Sequence, residues 1–404
     1  MDKIKTINSC RLCDSNNIDE VLNFGEVALA NNYRDSADLT DEFLAPLVYF
    51  QCRNCGSVQL RDQVDSSILF SNYSYSSPPN LRSHFEEFAK TVSKNINLCD
   101  KQLIVEIGGN NGICGQEFKK LGFSNVINVE PAANIAKISQ ENGINTLNRF
   151  FNKETANEIY RLNEGPARLI TASNVLAHVD SLNEIVESVK LLLSEDGYLV
   201  FENCYLLNTV FSLDAGQCYS EHIQLHSIKP LDIFFKKHGL EICEIELNKI
   251  QLGSFRIYVT WPANNSYTSS SVKNLIKLEE DFGLYKKETY EDFTEKVTVA
   301  GNELRVKLIN IIANNGKIAL YGVPAKIVLL IKSWELEQFI SYAVDDSPLK
   351  QGKFVPGTKI PIKNSEFWRA DNPAATLVGA YNFADDIIKN NPQYPKENWI
   401  IPFK

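Results

Sequence analysis

The chain has 404 residues, enough for two to three domains that each bury a core of their own. With 44% apolar and 23% charged residues it has a globular composition, and its net charge of −9, with acids spread along the chain, argues against nucleic acid as the main partner, because phosphate contacts need a basic stripe. No uninterrupted apolar run is long enough to span a bilayer and the opening MDKIKTINSCRLC lacks the apolar stretch of a signal peptide, so no membrane association and a cytoplasmic, reducing location are expected.

Residues 1–70 carry two C-x-x-C pairs, Cys10 with Cys13 and Cys52 with Cys55, separated by a polar, acidic spacer of 38 residues. In a reducing compartment nine cysteines do not form a disulfide framework. Each C-x-x-C turn presents two thiolates to one tetrahedral ion, and two such turns complete a four-cysteine zinc site. Such a site is structural, since no coordination position stays open for water or substrate. Four free thiols or a redox pair is the other reading. The module reads as small and irregular, in need of the metal as a staple.

An aromatic, serine-rich loop (NYSYSSPPN) follows, then a helix with Leu81, Phe85, Phe88 and Val92 at helical spacing. Residues 101–260 alternate short strands and helices, the pattern of a parallel sheet with crossover helices. The strand LIVEIG runs into the glycine turn GGNNG, where Gly108, Gly109 and Gly112 let the backbone pass close to a ligand. The spacing is not the dinucleotide G-x-G-x-x-G. Glu130 stands 22 residues after Gly108 at the tip of INVEP, where a carboxylate accepts hydrogen bonds from both ribose hydroxyls. This combination fits S-adenosylmethionine better than a dinucleotide. A tight turn beside a solvated glutamate is the plainer alternative.

Asn174 closes the strand RLITASNVL at the edge where sheet ligands bind, and His178 follows it. After the strand GYLVFENCY comes QCYSEHIQLHS, which holds two of the chain's five histidines. Glu221 and His222 suit an acid–base pair, and Tyr219 suits a donor to a carbonyl or enolate oxygen. On the residues alone, a polar loop whose histidines cap helices is an equal reading. The polar, serine-rich segment 261–274 marks a domain boundary. A long amphipathic helix or helix pair is expected over residues 275–312, then a second α/β pattern through KIALYG, FISYAVDD and TKIPIK. The fold class is therefore α/β, with two Rossmann-like domains at 71–262 and 275–404 behind a zinc-binding module at 1–70.

The order of motifs resembles one family. Cysteine pairs, EIGxNxG, VEP, NVLAHV, a Y-x-E-H stretch, GS-x-R-x-YV, YGVPAK and KQGKFVPGTKIPI together resemble the S-adenosylmethionine-dependent nucleotide-sugar C-methyltransferases, of the deoxysugar 3-C-methyltransferase type. The resemblance spans nearly the whole chain and implies a class I methyltransferase domain between a zinc-binding domain and a C-terminal Rossmann-like domain. It implies methylation at the third carbon of a nucleotide-linked 4-keto-deoxysugar through an enolate. By this likeness His222 is the base, Glu221 orients it, and Tyr219 binds the ketone or enolate oxygen. His178 joins the site with a tyrosine of the aromatic loop, Tyr75 or else Tyr73. The cofactor falls to Gly108, Asn110, Glu130, Phe151 and Asn174, and structural Zn2+ to Cys10, Cys13, Cys52 and Cys55. A monomer is expected, and dTDP, GDP and CDP sugars are equally compatible. Methylation of a sugar hydroxyl and a non-catalytic S-adenosylmethionine-binding protein are the competing functions. The chain departs from the family at IQLHS (residues 223–227), where His226 replaces an aromatic, at QLGS (251–254), and at Asn111, where many members have aspartate.

Overall fold

Seven strands form the central sheet of the computed structural model, which describes residues 3–70, 75–264, 269–314 and 316–403. Their spatial order is Asn145–Leu147, Val126–Val129, Ile104–Ile107, Ala167–Ser173, Leu193–Cys204, Ser254–Thr260 and Glu241–Asn248. The first five run parallel, and Ser254–Thr260 runs antiparallel to both its neighbours. Buried on both faces, the parallel strands are mostly apolar, with Glu106 and Asn128 as buried polar exceptions. The chain order reverses between Ile104–Ile107 and Ala167–Ser173, and ligands of open α/β sheets bind at the carboxyl ends beside such a switch point.

The helix Arg82–Asn95 buries Phe85, Phe88 and Val92 in one cluster with Leu81, as its spacing predicts. It is also pinned electrostatically. Arg256, 2% exposed, pairs with Glu202 at 2.9 Å and with Glu87 at 2.7 Å, and His84 Nε2 lies 2.7 Å from the other Glu202 oxygen.

The first module is more regular than expected. Ile18–Ala28, Leu44–Cys52 and Val58–Leu60 form an antiparallel sheet whose fourth strand, Gln224–Leu225, comes from the central domain. A strand partner so distant in sequence leaves no local turn signal. The expected helix pair is Ser270–Phe282 and Lys287–Ala313. It leads into a five-stranded parallel sheet ordered Ile362–Lys363, Tyr342–Val344, Ile318–Tyr321, Ala375–Val378, Trp399–Ile400. Among the described residues no helix is long and apolar enough to cross a membrane.

Candidate active site

The four sulfurs of Cys10, Cys13, Cys52 and Cys55 lie within 4.8 Å of one another. Cys10 and Cys55 are 3.6 Å apart and Cys13 and Cys52 3.5 Å, far beyond a disulfide bond of about 2.05 Å. Tetrahedral zinc with bonds of about 2.3 Å sets sulfurs about 3.8 Å apart. Gln59 Nε2 donates to Cys10 Sγ at 3.1 Å and Asn54 Nδ2 to Cys13 Sγ at 3.5 Å, contacts that favour thiolate.

At the end of Ile104–Ile107 the glycine turn is a steric requirement. Gly108 has φ +62°, and a Cβ there would lie 2.6 Å from Val175 Cγ2. A Cβ on Gly109 would lie 2.4 Å from Asn128 Oδ1. Glu130 closes the turn from the next strand. One carboxylate oxygen accepts from the Asn110 amide at 3.1 Å and the other from the Ala132 amide at 2.9 Å. Burial holds this carboxyl above its ordinary range although both amides pull it down. Phe151 is buried beyond Asn145–Leu147, on a segment tied to the Glu130 carbonyl by Asn148 Nδ2 at 2.9 Å.

The Asn110 side chain has a task other than the one the sequence suggests. Its Oδ1 accepts from Ser77 N at 2.8 Å and its Nδ2 donates to Tyr75 O at 3.2 Å, so it straps the aromatic loop onto the turn. Asn111 Nδ2 adds bonds to Ser76 Oγ at 3.1 Å and Ser77 O at 2.8 Å, and an aspartate there could not donate to the Ser77 carbonyl. Tyr75 thus lies over the site. Burial pushes its hydroxyl up to about 12, and it raises the pKa of Tyr219 in turn. Tyr73 lies outside the described residues.

Tyr219, His222 and His178 come together. His222 Nδ1 is 2.6 Å from the Gln217 carbonyl and so must carry the proton, leaving Nε2 to accept from Tyr219 Oη at 2.9 Å. The His178 ring packs edge-on to His222 with centroids 4.9 Å apart, and the Glu221 and Asn174 backbones partly offset the lowering of its pKa by burial. Asn174 itself has φ +55° and donates its amide to Glu202 O at 2.8 Å. Burial drives His222 well below its ordinary pKa, helped by His178 and Lys326, and brings His178 and His226 to about 4. All three rings are therefore neutral at neutral pH. The role assigned to Glu221 needs correction. The Gln217 carbonyl orients His222, while the Glu221 carboxylate accepts from Asn31 Nδ2 at 2.7 Å.

Both flanking domains hold this segment. From the zinc module, Tyr49 Oη lies 2.9 Å from His222 O and 3.2 Å from Tyr219 O, and the Leu60 amide bonds Ile223 O at 2.8 Å. From the C-terminal domain, Tyr381 Oη donates to Asp214 at 2.5 Å and Lys326 Nζ stands 3.6 Å from the same carboxylate, which also accepts from Gln217 Nε2 at 3.0 Å. Sequence reasoning missed Asn31, Tyr49, Asp214, Gln217, Lys326 and Tyr381. Gln217 and Lys326 lay in quoted motifs, but nothing local marked the Gln217 carbonyl or linked YGVPAK to the histidines.

Three family models match in series: a zinc binding domain over residues 10–70, a methyltransferase domain over 81–245, and a C-methyltransferase C-terminal domain over 249–403. The C-methyltransferase NovU of Streptomyces niveus is 29% identical over 407 residues, covering 99% of this chain and 96% of its own. These matches support an S-adenosylmethionine-dependent C-methyltransferase. Among solved structures this C-methyltransferase is similar to magnesium protoporphyrin IX methyltransferase of Synechocystis, at 12% identity and TM-score 0.35, over 45% of this chain and 82% of that one. It is also similar to a methyltransferase of Clostridium acetobutylicum, at 14% identity and TM-score 0.36, over 45% and 92%.

The residues of the C-methyltransferase fit both groups. Each Glu130 oxygen keeps a lone pair beyond its amide bond, as the two ribose hydroxyls of S-adenosylmethionine require, and glycine at 108 and 109 lets Val175, Asn128 and Glu106 close against the turn that carries it. The sulfur spacing and N–H donors suit zinc, which would tie the strand ends at Cys52 and Cys55 to the turn at Cys10.

Proposed function

We propose that this C-methyltransferase methylates the third carbon of a nucleotide-linked 4-keto-deoxysugar through an enolate. The Tyr219–His222 pair carries this reading, because its tautomer is fixed by the Gln217 carbonyl and its rings are held neutral by burial. A neutral imidazole in a dry site is a competent base, and a positioned base contributes roughly 10²–10⁴ in rate. The sugar class rests on the motif likeness along the chain.

When the ketone enters, the Tyr219 hydroxyl turns from His222 Nε2 to the ketone oxygen and frees the nitrogen's lone pair. Nε2 then removes the proton on the adjacent carbon, and the electron pair of that C–H bond passes into the enolate. Tyr219 steadies the developing oxyanion as a donor in a low-dielectric site. His178, packed edge-on to His222, and Tyr75, on the strapped loop, keep water out and hold the sugar ring in place. Bound S-adenosylmethionine supplies an electrophilic methyl. The enolate carbon would take that methyl, with Tyr219 still donating to the oxygen as the ketone is restored. Gly108, Glu130, Phe151 and Asn174 bind the cofactor, with the Asn110 backbone amide holding the Glu130 carboxylate in place for it.

Incubation with S-adenosylmethionine and a panel of dTDP-, GDP- and CDP-linked 4-keto-deoxysugars tests this reading. The expected product bears a carbon-bound methyl next to the ketone by NMR. A methyl on oxygen, or no turnover of any panel member, overturns it.

A further inference from the structure

Gln224 stands two residues after His222, and its backbone is fixed from the zinc module. It pairs with Gln59 across the antiparallel ladder, and the neighbouring Ile223 carbonyl accepts the Leu60 amide at 2.8 Å. Its side chain is 1% exposed, yet neither its Nε2 nor its Oε1 has a hydrogen-bond partner among the described residues. Asn203, at the end of Leu193–Cys204 and 2% exposed, has an unpartnered Oδ1. Both side chains line one cavity with His222, Thr209 and Ala177. Buried amides are almost always paired, because a donor or acceptor stripped of water and left unbonded is costly. Here three such atoms gather beside the proton-transfer pair, in a wall whose remaining members include Leu206 and Leu225.

We propose that Gln224 and Asn203 form a hydrogen-bonding subsite for a hydroxyl group of the substrate, on the sugar carbon flanking the one that is methylated. The proposal rests on the nucleotide-ketosugar reading above. A primary amide offers a donor and an acceptor side by side, and a hydroxyl answers both at once. A ketone answers only the donor, and a methylene answers neither. A carboxylate or phosphate would leave Gln224 Oε1 and Asn203 Oδ1 opposed by like partial charge. The position of the cavity excludes the cofactor as occupant. The cofactor turn lies at the end of Ile104–Ile107, whereas the cavity lies at the end of Leu193–Cys204, with Ala167–Ser173 between. Gln224 thereby reads the substrate, while His222 acts on it.

The test compares matched nucleotide-linked 4-ketosugars with and without the flanking hydroxyl, using the full-length zinc-loaded enzyme. A site built to bond a hydroxyl discriminates strongly against the analogue that lacks it. Wild type should favour the hydroxylated sugar by at least about 100-fold in kcat/KM, and Gln224→Leu and the closer isostere Gln224→Met should reduce that ratio to within about tenfold of unity. The ratio is insensitive to a general loss of rate. For a variant too slow to assay, dissociation constants of the two sugars by calorimetry supply the same ratio. An equal preference in wild type and both variants overturns the subsite and leaves the cavity to a resident water, with the ketosugar reading intact. Failure of wild type to turn over either sugar overturns both.

Discussion

The glycine turn and the segment with Tyr219 and His222 follow strands separated by one other, and their partners come from very different distances along the chain. Gly109 bonds Asn128 across 19 residues and Asn110 bonds Glu130 across 20. One strand–helix–strand unit supplies the glycine turn and Glu130. The segment with Tyr219 and His222 takes Tyr49 from 170 and 173 residues away, Asn31 from 190, and Tyr381, through Asp214, from 167. Binding the donor is therefore local, while positioning the base depends on both flanking domains. The zinc module grips the backbone of 219–224, and the C-terminal domain grips Asp214 and Gln217, whose carbonyl sets the tautomer of His222.

The largest break in this comparison should come from stripping the zinc. Without the metal the strand ends at Cys52 and Cys55 lose their staple, and the strand at Gln224–Leu225 loses its partner sheet. Methyl transfer should fall to background while S-adenosylmethionine affinity, by calorimetry, changes less than about tenfold. Next, His222→Asn should lower kcat by roughly 10²–10⁴ with unaltered cofactor affinity. Glu130→Ala should act in the opposite half, raising the dissociation constant of S-adenosylmethionine about 10–100-fold through the lost charged hydrogen bonds. Tyr381→Phe removes one bond to Asp214 and should cost only about fivefold in kcat, with KM for the cofactor unmoved.

The smallest effect concerns pH. His178 and His226 lie near 4 when folded against an ordinary 6.5, and His222 is depressed as well. Between those values the unfolded chain binds more protons than the folded one, so these groups add stability above pH 6.5 that is lost as pH falls toward 4. Thermal midpoints measured across that window should decline with falling pH, and His226→Phe should flatten the decline. Because buried Glu106, raised to about 8, works in the opposite direction, the test is the difference between the two proteins: a pH dependence identical in wild type and His226→Phe would contradict the depressed pKa of that ring.

What the sequence reveals follows the same division. Glycines that a Cβ would block, an acid at a fixed interval and two C-x-x-C turns are local signals, and each was readable. The adjacency of Tyr219 and His222 was readable too, being three residues apart. The orienting group was not, because a backbone carbonyl has no residue signature, and Glu221 was the nearer chemical candidate. The strand Asn145–Leu147 is three residues long, too short for any periodicity to register. The antiparallel sheet of the first module escaped notice because its fourth strand is supplied by Gln224–Leu225. For Asn110, the motif marked a residue of the glycine turn, and its side chain faces the loop at 75–77.

Solvent deuterium exchange at the sugar's third carbon, followed by NMR without S-adenosylmethionine, tests the central claim most directly. Proton removal by the Tyr219–His222 pair needs no methyl donor. Exchange should therefore proceed in wild type and in Glu130→Ala, and disappear in His222→Asn. Exchange that survives in His222→Asn, or that is lost equally in Glu130→Ala, would contradict the account.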